Sequence, residues 1–334
     1  MNTWGEFIIR FWGVRGSYAV PGSAVERYGG NTACVEIEAG GSTIILAAGT
    51  GIISLGRELA RRAREQGRKV ACVLLFSHLH HDHTQGFPFF VPAFIPGANL
   101  HVYGPDFFGS SPRAALEEVM QPPYFPIRLT DLNANLSLGV LHESDTLLVA
   151  GQGEEVQVRA AGASLSGAEI DPDRWVRVRV LRSYAHPGGV LHYRIDWQGS
   201  SVVYATDTEG YVNGDQRLAN FARGTDLLIH DAQYTDEHYL GLVPGLSLTQ
   251  GYGHSTISMA CQAAITTGAK RLALFHHAPE YDDAQLDTIA ASARKIFPNA
   301  LVASEGLEIR LQAGGADYAL SDCSSFGGSS AKAA

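Results

Sequence analysis

The sequence predicts an α/β (α+β) fold in which two mixed β-sheets lie between outer layers of helices. Apolar segments of strand length recur in both halves of the chain, and helical segments follow them in each half. No linker-like stretch separates the halves, so residues 1–312 are predicted to form one domain. The remaining residues 313–334 are rich in Gly, Ser and Ala, which is typical of a disordered tail.

In the first half, short strands alternate with turns. Two predicted strands flank Gly40 and Gly41, which indicates a hairpin. The segment 70–76 is continuously apolar, as expected of a strand that is buried on both faces. The predicted strands of this half are 7–12, 33–38, 42–47, 70–76 and 100–103, and the predicted helices are 52–67 and 113–120.

In the second half, β-type patterns dominate from residue 154 onward. The predicted helix 255–267 has Ser and Thr near its start and Gly268 after its end, and these residue types commonly cap helices. The predicted strands of this half are 156–160, 176–183, 191–197, 201–205, 227–229, 271–275 and 301–311, and the predicted helices are 255–267 and 283–296.

The composition of the 334 residues excludes several classes of protein. With 45% hydrophobic residues the chain has enough apolar material for a substantial core, which excludes global disorder. No apolar run approaches the roughly 18 residues that a membrane-spanning helix needs, and no signal peptide is recognisable. The four cysteines are far apart, which fits a reducing compartment, so a cytoplasmic location is predicted. The net charge of −9 disfavours a nucleic-acid partner, although a local basic patch could escape that count.

The strongest functional signal is a run of histidines directly after the apolar segment 70–76, with the sequence FSHLHHDHTQG. His78 and His80 are alternate residues at the end of a predicted strand, so both side chains can face one metal ion. Asp82 and His83 fall in the next turn and can face a second ion. Imidazole and carboxylate ligands suit zinc, with manganese or iron as alternatives. His81 lies between these positions and is expected to be a neighbour rather than a ligand.

This run resembles the signature His-x-His-x-Asp-His of the metallo-β-lactamase-fold hydrolases. The segments WGVRGS at 12–17 and YGGNT at 28–32 resemble the N-terminus of the phosphodiesterase branch of that family, which includes ribonuclease Z and the cyclic-phosphate phosphodiesterase of phosphonate breakdown. The resemblance covers nearly the whole chain. It implies a four-layer αββα sandwich with a dinuclear metal site in the cleft between the sheets.

The resemblance also implies the remaining metal ligands. His186 matches the third histidine of the first metal, and Asp207 matches the carboxylate shared by both metals. His276 matches the last ligand of the second metal, and it is preferred to the adjacent His277 because neighbours on a strand point to opposite faces. The implied ligand set is therefore His78, His80 and His186 for metal one, Asp82, His83 and His276 for metal two, and Asp207 for both.

A further match concerns the catalytic residues. The segment GHST at 253–256 resembles the His-Ser-Thr element of ribonuclease Z, in which the histidine is proposed to protonate the leaving oxygen. The resemblance implies that His254 is the acid and that Asp231 orients it. Asp82 is predicted to be both a catalytic residue and a metal ligand. His230, in contrast, is expected to have a structural role. Ser255 and Thr256 could by themselves explain a helix start, so a capping role for this segment is the alternative.

These matches predict a metal-dependent phosphodiesterase whose substrate partner is a small, cyclic phosphodiester. Ribonuclease Z grips precursor transfer RNA with a protruding basic, Gly-rich arm, and the sequence shows no such arm. The insert from 106 to 173 is acidic or neutral, and its role is left open. The alternatives are a ribonuclease Z-like nuclease, a lactonase or thioesterase on the same fold, and a non-catalytic metal-bearing sensor. Self-association as a homodimer is left open.

One position departs from the family pattern. Relatives usually have Asp-Ala-Gly-Thr-Gly after the third strand, whereas here Ala47 occupies the place of the aspartate. In the family this carboxylate accepts a hydrogen bond from a ligand histidine. Its absence predicts that one metal binds more weakly than the other, because such partners typically change metal affinity or activity about 10- to 100-fold.

Overall fold

The computed structural model describes residues 7–162, 170–211, 214–311 and 320–322. Within this part of the chain, two eight-stranded sheets pack face to face and helices cover their outer faces. The predicted fold class, a four-layer αββα sandwich, is confirmed. None of the helices in the described ranges is both long enough and apolar enough to cross a membrane.

The first sheet is built mainly from the N-terminal half of the chain. Its strands are β1 (Phe7–Gly13), β2 (Cys34–Ala39), β3 (Ser42–Leu46), β4 (Ala71–Leu75), β5 (Asn99–Gly104), β6 (Asn135–Val140), β15 (Leu307–Leu311) and β16 (Leu320–Asp322). Their order is β16-β15-β1-β2-β3-β4-β5-β6. The four strands from β3 to β6 are parallel, while β1 to β3 are antiparallel.

The second sheet contains the strands β7 (Thr146–Ala150), β8 (Glu155–Arg159), β9 (Val176–Ser183), β10 (Val190–Trp197), β11 (Ser200–Ala205), β12 (Leu227–Asp231), β13 (Leu272–Phe275) and β14 (Ala300–Val302). Their order is β14-β13-β12-β11-β10-β9-β7-β8. The strands from β11 to β14 are parallel, so their carboxyl ends lie along one edge of the sheet.

The helices are α1 (Gly51–Glu65), α2 (His81–Thr84), α3 (Pro112–Val119), α4 (Gln216–Phe221), α5 (Asp236–Tyr239), α6 (Ile257–Thr267) and α7 (Asp283–Ile296). The side chains of α1 pack on the outer face of the first sheet, and those of α6 and α7 pack on the outer face of the second. Alternate residues of the strands meet in a shared core between the sheets, including Ile37 and Ile44 from one side and Val178 and Ile195 from the other.

Several details differ from the sequence-based expectation, and the short helices α4 and α5 were not predicted. The predicted strand 301–311 is two strands, because the chain turns at Gly306, whose φ is 81°, and passes from the second sheet to the first. The strands β6 and β7 were not predicted; β6 is a partly exposed edge strand in which polar and apolar residues alternate. The predicted disordered tail 313–334 falls mostly outside the described residues, but Leu320–Asp322 within it forms strand β16.

Candidate metal centre

The histidine run lies where strand β4 ends at the cleft between the sheets. His78 follows the strand after Ser77, and His80 is the residue that precedes helix α2. Asp82 and His83 are within that four-residue helix and are buried. The apolar strand is therefore anchored in the core, and its end delivers polar side chains into the cleft.

Three imidazoles form the first cluster: His78, His80 and His186, whose nearest ring nitrogens all lie within 4.8 Å of one another. The Nε2 atom of His186 is 3.1 Å from Nδ1 of His80. The opposite nitrogen of His186, Nδ1, donates to the backbone oxygen of Gly253 at 2.9 Å, and Nδ1 of His78 is 3.1 Å from the hydroxyl of Ser77. These outer hydrogen bonds fix the ring orientations.

Four residues form the second cluster: Asp82, His83, Asp207 and His276. The Nε2 atoms of His83 and His276 are 3.3 Å apart, and Nε2 of His276 is 3.2 Å from Oδ2 of Asp82. Asp207 faces both clusters, since its Oδ2 is 3.2 Å from His83 Nε2 and its Oδ1 is 3.6 Å from His78 Nε2. A carboxylate in this position can contribute one oxygen to each of two ions.

Electrostatics differ between the two clusters. Burial lowers the pKa of His78, His80 and His186, so these rings are neutral and offer lone pairs, as metal ligands must. In the second cluster, burial lowers the pKa of His83, but the carboxylates of Asp207 and Asp82 outweigh it and raise that pKa to about 9. The second cluster thus attracts positive charge.

These residues fit a pair of divalent cations. Nε2 of His78 is buried and has no hydrogen-bond partner among the described residues, although it faces the two other imidazoles of its cluster. Imidazole nitrogens and carboxylate oxygens are the donors that zinc, manganese and iron accept. His276 belongs to the cluster, whereas Nε2 of the neighbouring His277 points away and donates to the backbone oxygen of Ala303 at 2.9 Å. The two side chains therefore point in different directions, but not through strand alternation, because strand β13 ends at Phe275 and His276 has a left-handed backbone.

Backbone strain surrounds the centre. Asp207, His276 and Ala47 have φ values of 52°, 65° and 65°, and each comes just after the end of a strand. Non-glycine residues rarely adopt this left-handed conformation, and such strain concentrates at functional sites. Two glycines permit the close packing. A Cβ at Gly16 would lie 2.5 Å from the ring of His276, and one at Gly253 would lie 2.5 Å from that of His186.

His254 lies beside both clusters and is paired with Asp231. Nδ1 of His254 is 2.7 Å from Oδ2 of Asp231, and its ring stacks on that of His276 with centroids 5.1 Å apart. Burial lowers the pKa of His254, but the Asp231 carboxylate outweighs this effect and raises it. The other oxygen of Asp231 accepts from the backbone N–H of Ser255 and of Gln233, so the carboxylate is held in place. His230, on the same strand, is turned away and Nδ1 donates to the backbone oxygen of Asp231.

The alternative metal grouping includes His254. Asp207, Asp231, His254 and His276 also bring their donor atoms within 4.8 Å of one another. Two of these four are shared with the second cluster, and Nδ1 of His254 is already engaged by Asp231. The sequence-based assignment of His254 as an acid rather than a ligand therefore stays a prediction, which the metal content of a His254→Ala variant would test.

Sequence reasoning missed three residues that hold the centre together. The backbone N–H of Ser17 donates to Oδ2 of Asp82 at 2.8 Å, and Gln233 accepts from Nδ1 of His276 at 3.2 Å. Glu209 accepts from the backbone N–H of Gly251 and Gly253 at 2.8 and 3.0 Å, which fixes the loop before His254. The segment around Ser17 was singled out as a motif, but nothing in the sequence indicates these contacts.

The fold agrees with comparisons to known proteins. Residues 42–277 match the family described as Beta-lactamase superfamily domain. The chain belongs to this superfamily, and the predicted resemblance to metallo-β-lactamase-fold proteins is confirmed. The predicted class of protein, a metal-dependent hydrolase, is confirmed with it.

The individual relatives and solved structures share less than a third of their residues with this chain. The chain is 28% identical over 248 residues to a protein named ribonuclease Z from Ignicoccus hospitalis, which covers 70% of this chain and 78% of that protein. The structure of the present chain is similar to that of the metallo-β-lactamase-fold protein YhfI of Bacillus subtilis. The TM-score is 0.60 and the identity 16%, and the match covers 92% of this chain and 99% of YhfI. It is also similar to a diphosphatase from the PhnP family, with a TM-score of 0.55, 16% identity and 90% and 96% covered.

Proposed function

We propose that this hydrolase is a dinuclear metal-dependent phosphodiesterase that acts on a small, cyclic phosphodiester. The observation that carries the proposal is the pairing of His254 with Asp231 at 2.7 Å, directly beside the two clusters. A diester needs a proton on its leaving oxygen, and a buried imidazole held by a carboxylate is suited to supply one.

The two clusters would hold the metal ions, zinc in the first instance with Mn²⁺ or Fe²⁺ as alternatives. His78, His80 and His186 would hold one, and Asp82, His83 and His276 the other, with Asp207 contributing to both. When bound, two such ions lower the pKa of water and stabilise the negative charge that develops on a reacting phosphate.

The protein's own residues would orient the metal ligands and protonate the leaving oxygen of the substrate. Asp231 binds Nδ1 of His254, which leaves Nε2 as the atom that transfers a proton to the leaving oxygen. The backbone N–H of Ser17 and the side chain of Gln233 orient Asp82 and His276. Glu209 holds the loop that ends at His254. Water adds across one P–O bond of the cyclic diester, so the ring opens and a single product forms, a phosphate monoester with a free hydroxyl.

The cleft supports a small substrate. A cavity of about 830 Å³ adjoins the centre and includes His186 in its wall, a volume typical of sites for small molecules. Its described lining contains one arginine and no lysine, which is a poor surface for a long polyanion. The net charge of −9 adds to this disadvantage for RNA.

A second candidate is RNA processing, since relatives that are 28% identical are named ribonuclease Z. A lactonase or thioesterase and a non-catalytic metal-bearing sensor are the other candidates on this fold. A homodimeric state and a cytoplasmic location also stay predictions.

The reaction class is tested with zinc-loaded protein and bis(p-nitrophenyl) phosphate, alongside a lactone and a thioester at equal concentration. We expect release of p-nitrophenolate from the phosphodiester and little turnover of the carboxylic esters. Faster turnover of the lactone or thioester would overturn the proposed function, and so would the absence of turnover with all three substrates.

A further inference from the structure

An arginine lies at the rim of the cavity that adjoins the metal centre. Arg182 is near the end of β9 and has the same parity as Val176, Val178 and Val180, whose side chains fill the core between the sheets. At the end of the strand this face opens into the cavity of about 830 Å³, whose wall contains both Arg182 and His186. The arginine thus faces the same space as a predicted metal ligand.

The guanidinium group of Arg182 is held between two aromatic rings. Its central carbon is 4.4 Å from the ring centroid of Phe107 and 4.7 Å from that of Tyr184. Stacking on rings fixes the plane of a guanidinium and leaves its N–H edge for hydrogen bonds. Nε of Arg182 is buried and has no hydrogen-bond partner among the described residues, and no carboxylate within the described ranges forms an ion pair with this side chain.

The carboxylate in the same wall does not neutralise this arginine. Glu209 accepts hydrogen bonds from the hydroxyl of Tyr239 and from two backbone N–H groups of the loop 251–253. Its oxygens are therefore engaged by that loop. Arg182 is left as a positioned cation whose preferred partner is a planar anion such as phosphate or carboxylate.

Exposed aromatic rings line the same cavity as the arginine. Tyr184, Tyr211 and Phe108 line the cavity with 64%, 49% and 93% of their surface exposed. Large apolar side chains are seldom left this exposed together unless they contact a ligand or partner. Exposed aromatic rings bind the flat faces of nucleobases by stacking.

We infer that this cavity is a specificity site for a nucleoside phosphate: Arg182 binds a second phosphate group of the substrate, and the neighbouring aromatic rings stack on its base. The inference rests on the proposed phosphodiesterase function, since the metal centre would act on a diester of the same molecule. It narrows the substrate class from small diesters in general to nucleotides that carry a further phosphate.

The test compares substrates that differ by one group. Zinc-loaded protein is assayed with ribose 2′,3′-cyclic phosphate, adenosine 2′,3′-cyclic phosphate and the 5′-phosphorylated form of the latter. We expect the 5′-phosphate to lower KM about 10- to 100-fold, because a hydrogen-bonded ion pair in a partly buried site has that effect. We expect the base to lower KM by about 10-fold through stacking.

The variant Arg182→Gln should abolish the discrimination between the two adenosine substrates, and Arg182→Lys should restore part of it. Arg177→Gln is the matched control, because Arg177 is on the same strand but on its opposite face, near Asp196. The control should discriminate like the wild type. Equal KM values for both substrates in the wild type, or unchanged discrimination in Arg182→Gln, would overturn the inference.

A binding measurement separates this inference from the proposed function. Calorimetric titration of adenosine 5′-monophosphate should show weaker binding to Arg182→Gln than to the wild type, even if no diester is turned over. Equal binding to both proteins would overturn the arginine site while leaving the reaction class intact. If a precursor tRNA is the better substrate and Arg182→Gln lowers its cleavage, the arginine contacts RNA and the assignment to free nucleotides is wrong.

Discussion

At the scale of single residues, proton transfer and metal binding are expected to fall on different side chains. Nδ1 of His254 is bound to Asp231, whereas the nitrogens of His83 and His276 face each other across the second cluster. Removal of the His254 side chain should therefore affect catalysis, and removal of His83 or His276 should affect metal content.

We expect His254→Ala to keep its metal and to lose about 10²- to 10⁴-fold in turnover of an unactivated diester, the usual contribution of a positioned acid. The loss should be much smaller for bis(p-nitrophenyl) phosphate, whose leaving group barely needs a proton. Turnover and elemental analysis of the same preparation check both statements. His142→Ala is the control, since the His142 side chain is 76% exposed and outside the clusters. Loss of metal from His254→Ala would show that His254 is a ligand.

Ala47 is the second informative residue. It is fully buried with φ at 65°, and the next residue donates its N–H to the backbone oxygen of His83 at 2.7 Å. Nδ1 of His83 is buried with no hydrogen-bond partner among the described residues. A histidine ligand without such a partner is less well oriented and less basic.

Ala47→Asp should therefore tighten the weaker metal site, and aspartate also tolerates the left-handed backbone better than alanine does. Metal titration into chelator-treated wild type and variant gives the two affinities directly. Ala47→Asn has the same shape without the charge and should give a smaller gain. A buried carboxylate that finds no partner would lower stability. Identical metal affinities in all three proteins would mean that position 47 does not act on a ligand.

At the scale of secondary-structure elements, an ion network joins α1 to the outer face of the first sheet. Arg10 of β1 is 2.9 Å from Glu38 of β2, and Arg62 of α1 is 2.6 Å from Glu36. Arg10 also bonds Glu308 of β15. Burial raises the pKa of Glu308, but its hydrogen bond and ion pair with Arg10 outweigh this effect and lower it below the ordinary 4.5.

A lowered carboxyl pKa stabilises the folded protein above the pKa of the unfolded state, and this contribution is lost as the pH falls through the folded value. The free energy of unfolding should therefore drop from pH 7 to pH 4 by less in Glu308→Gln than in the wild type. Urea unfolding of chelator-treated protein at both pH values measures this difference. Glu65→Gln, at an exposed pair on α1, is the control and should behave like the wild type. An equal drop in Glu308→Gln would contradict the prediction.

Local patterns explain which elements and site residues were predictable. The four donors of the histidine run lie within six residues of one another, and the apolar strand before them predicts that they follow a buried strand. No local sequence pattern identifies Arg182 or Gln233, because their roles depend on which face of a strand they occupy and on contacts between distant segments. The strand β6 was not predicted although its sequence NLSLGV alternates polar and apolar residues; the run is only six residues long and lies in the segment read as an insert. The passage of 301–311 between sheets depends on tertiary packing that the sequence pattern does not encode.

At the scale of the whole molecule, both clusters sit in one cleft formed by the two sheets, and Asp207 connects them. We expect close to two divalent ions per chain by elemental analysis of gently purified or reconstituted protein. Asp207→Ala should lose metal and activity together, because its carboxylate faces both clusters. Trace metal after reconstitution of the wild type would contradict the dinuclear centre, and full metal content in Asp207→Ala would contradict the shared role of its carboxylate.

The central claim is that this hydrolase cleaves a small phosphodiester rather than a long RNA. The most direct test is to measure kcat/KM of one zinc-loaded preparation for adenosine 2′,3′-cyclic phosphate and for a precursor tRNA with a 3′ extension, at the same ionic strength. We predict the higher kcat/KM for the cyclic phosphodiester, since the cavity has the volume of a small-molecule site and the described part of its lining holds a single arginine. A higher kcat/KM for the precursor tRNA, or no hydrolysis of the cyclic phosphodiester, would contradict the claim.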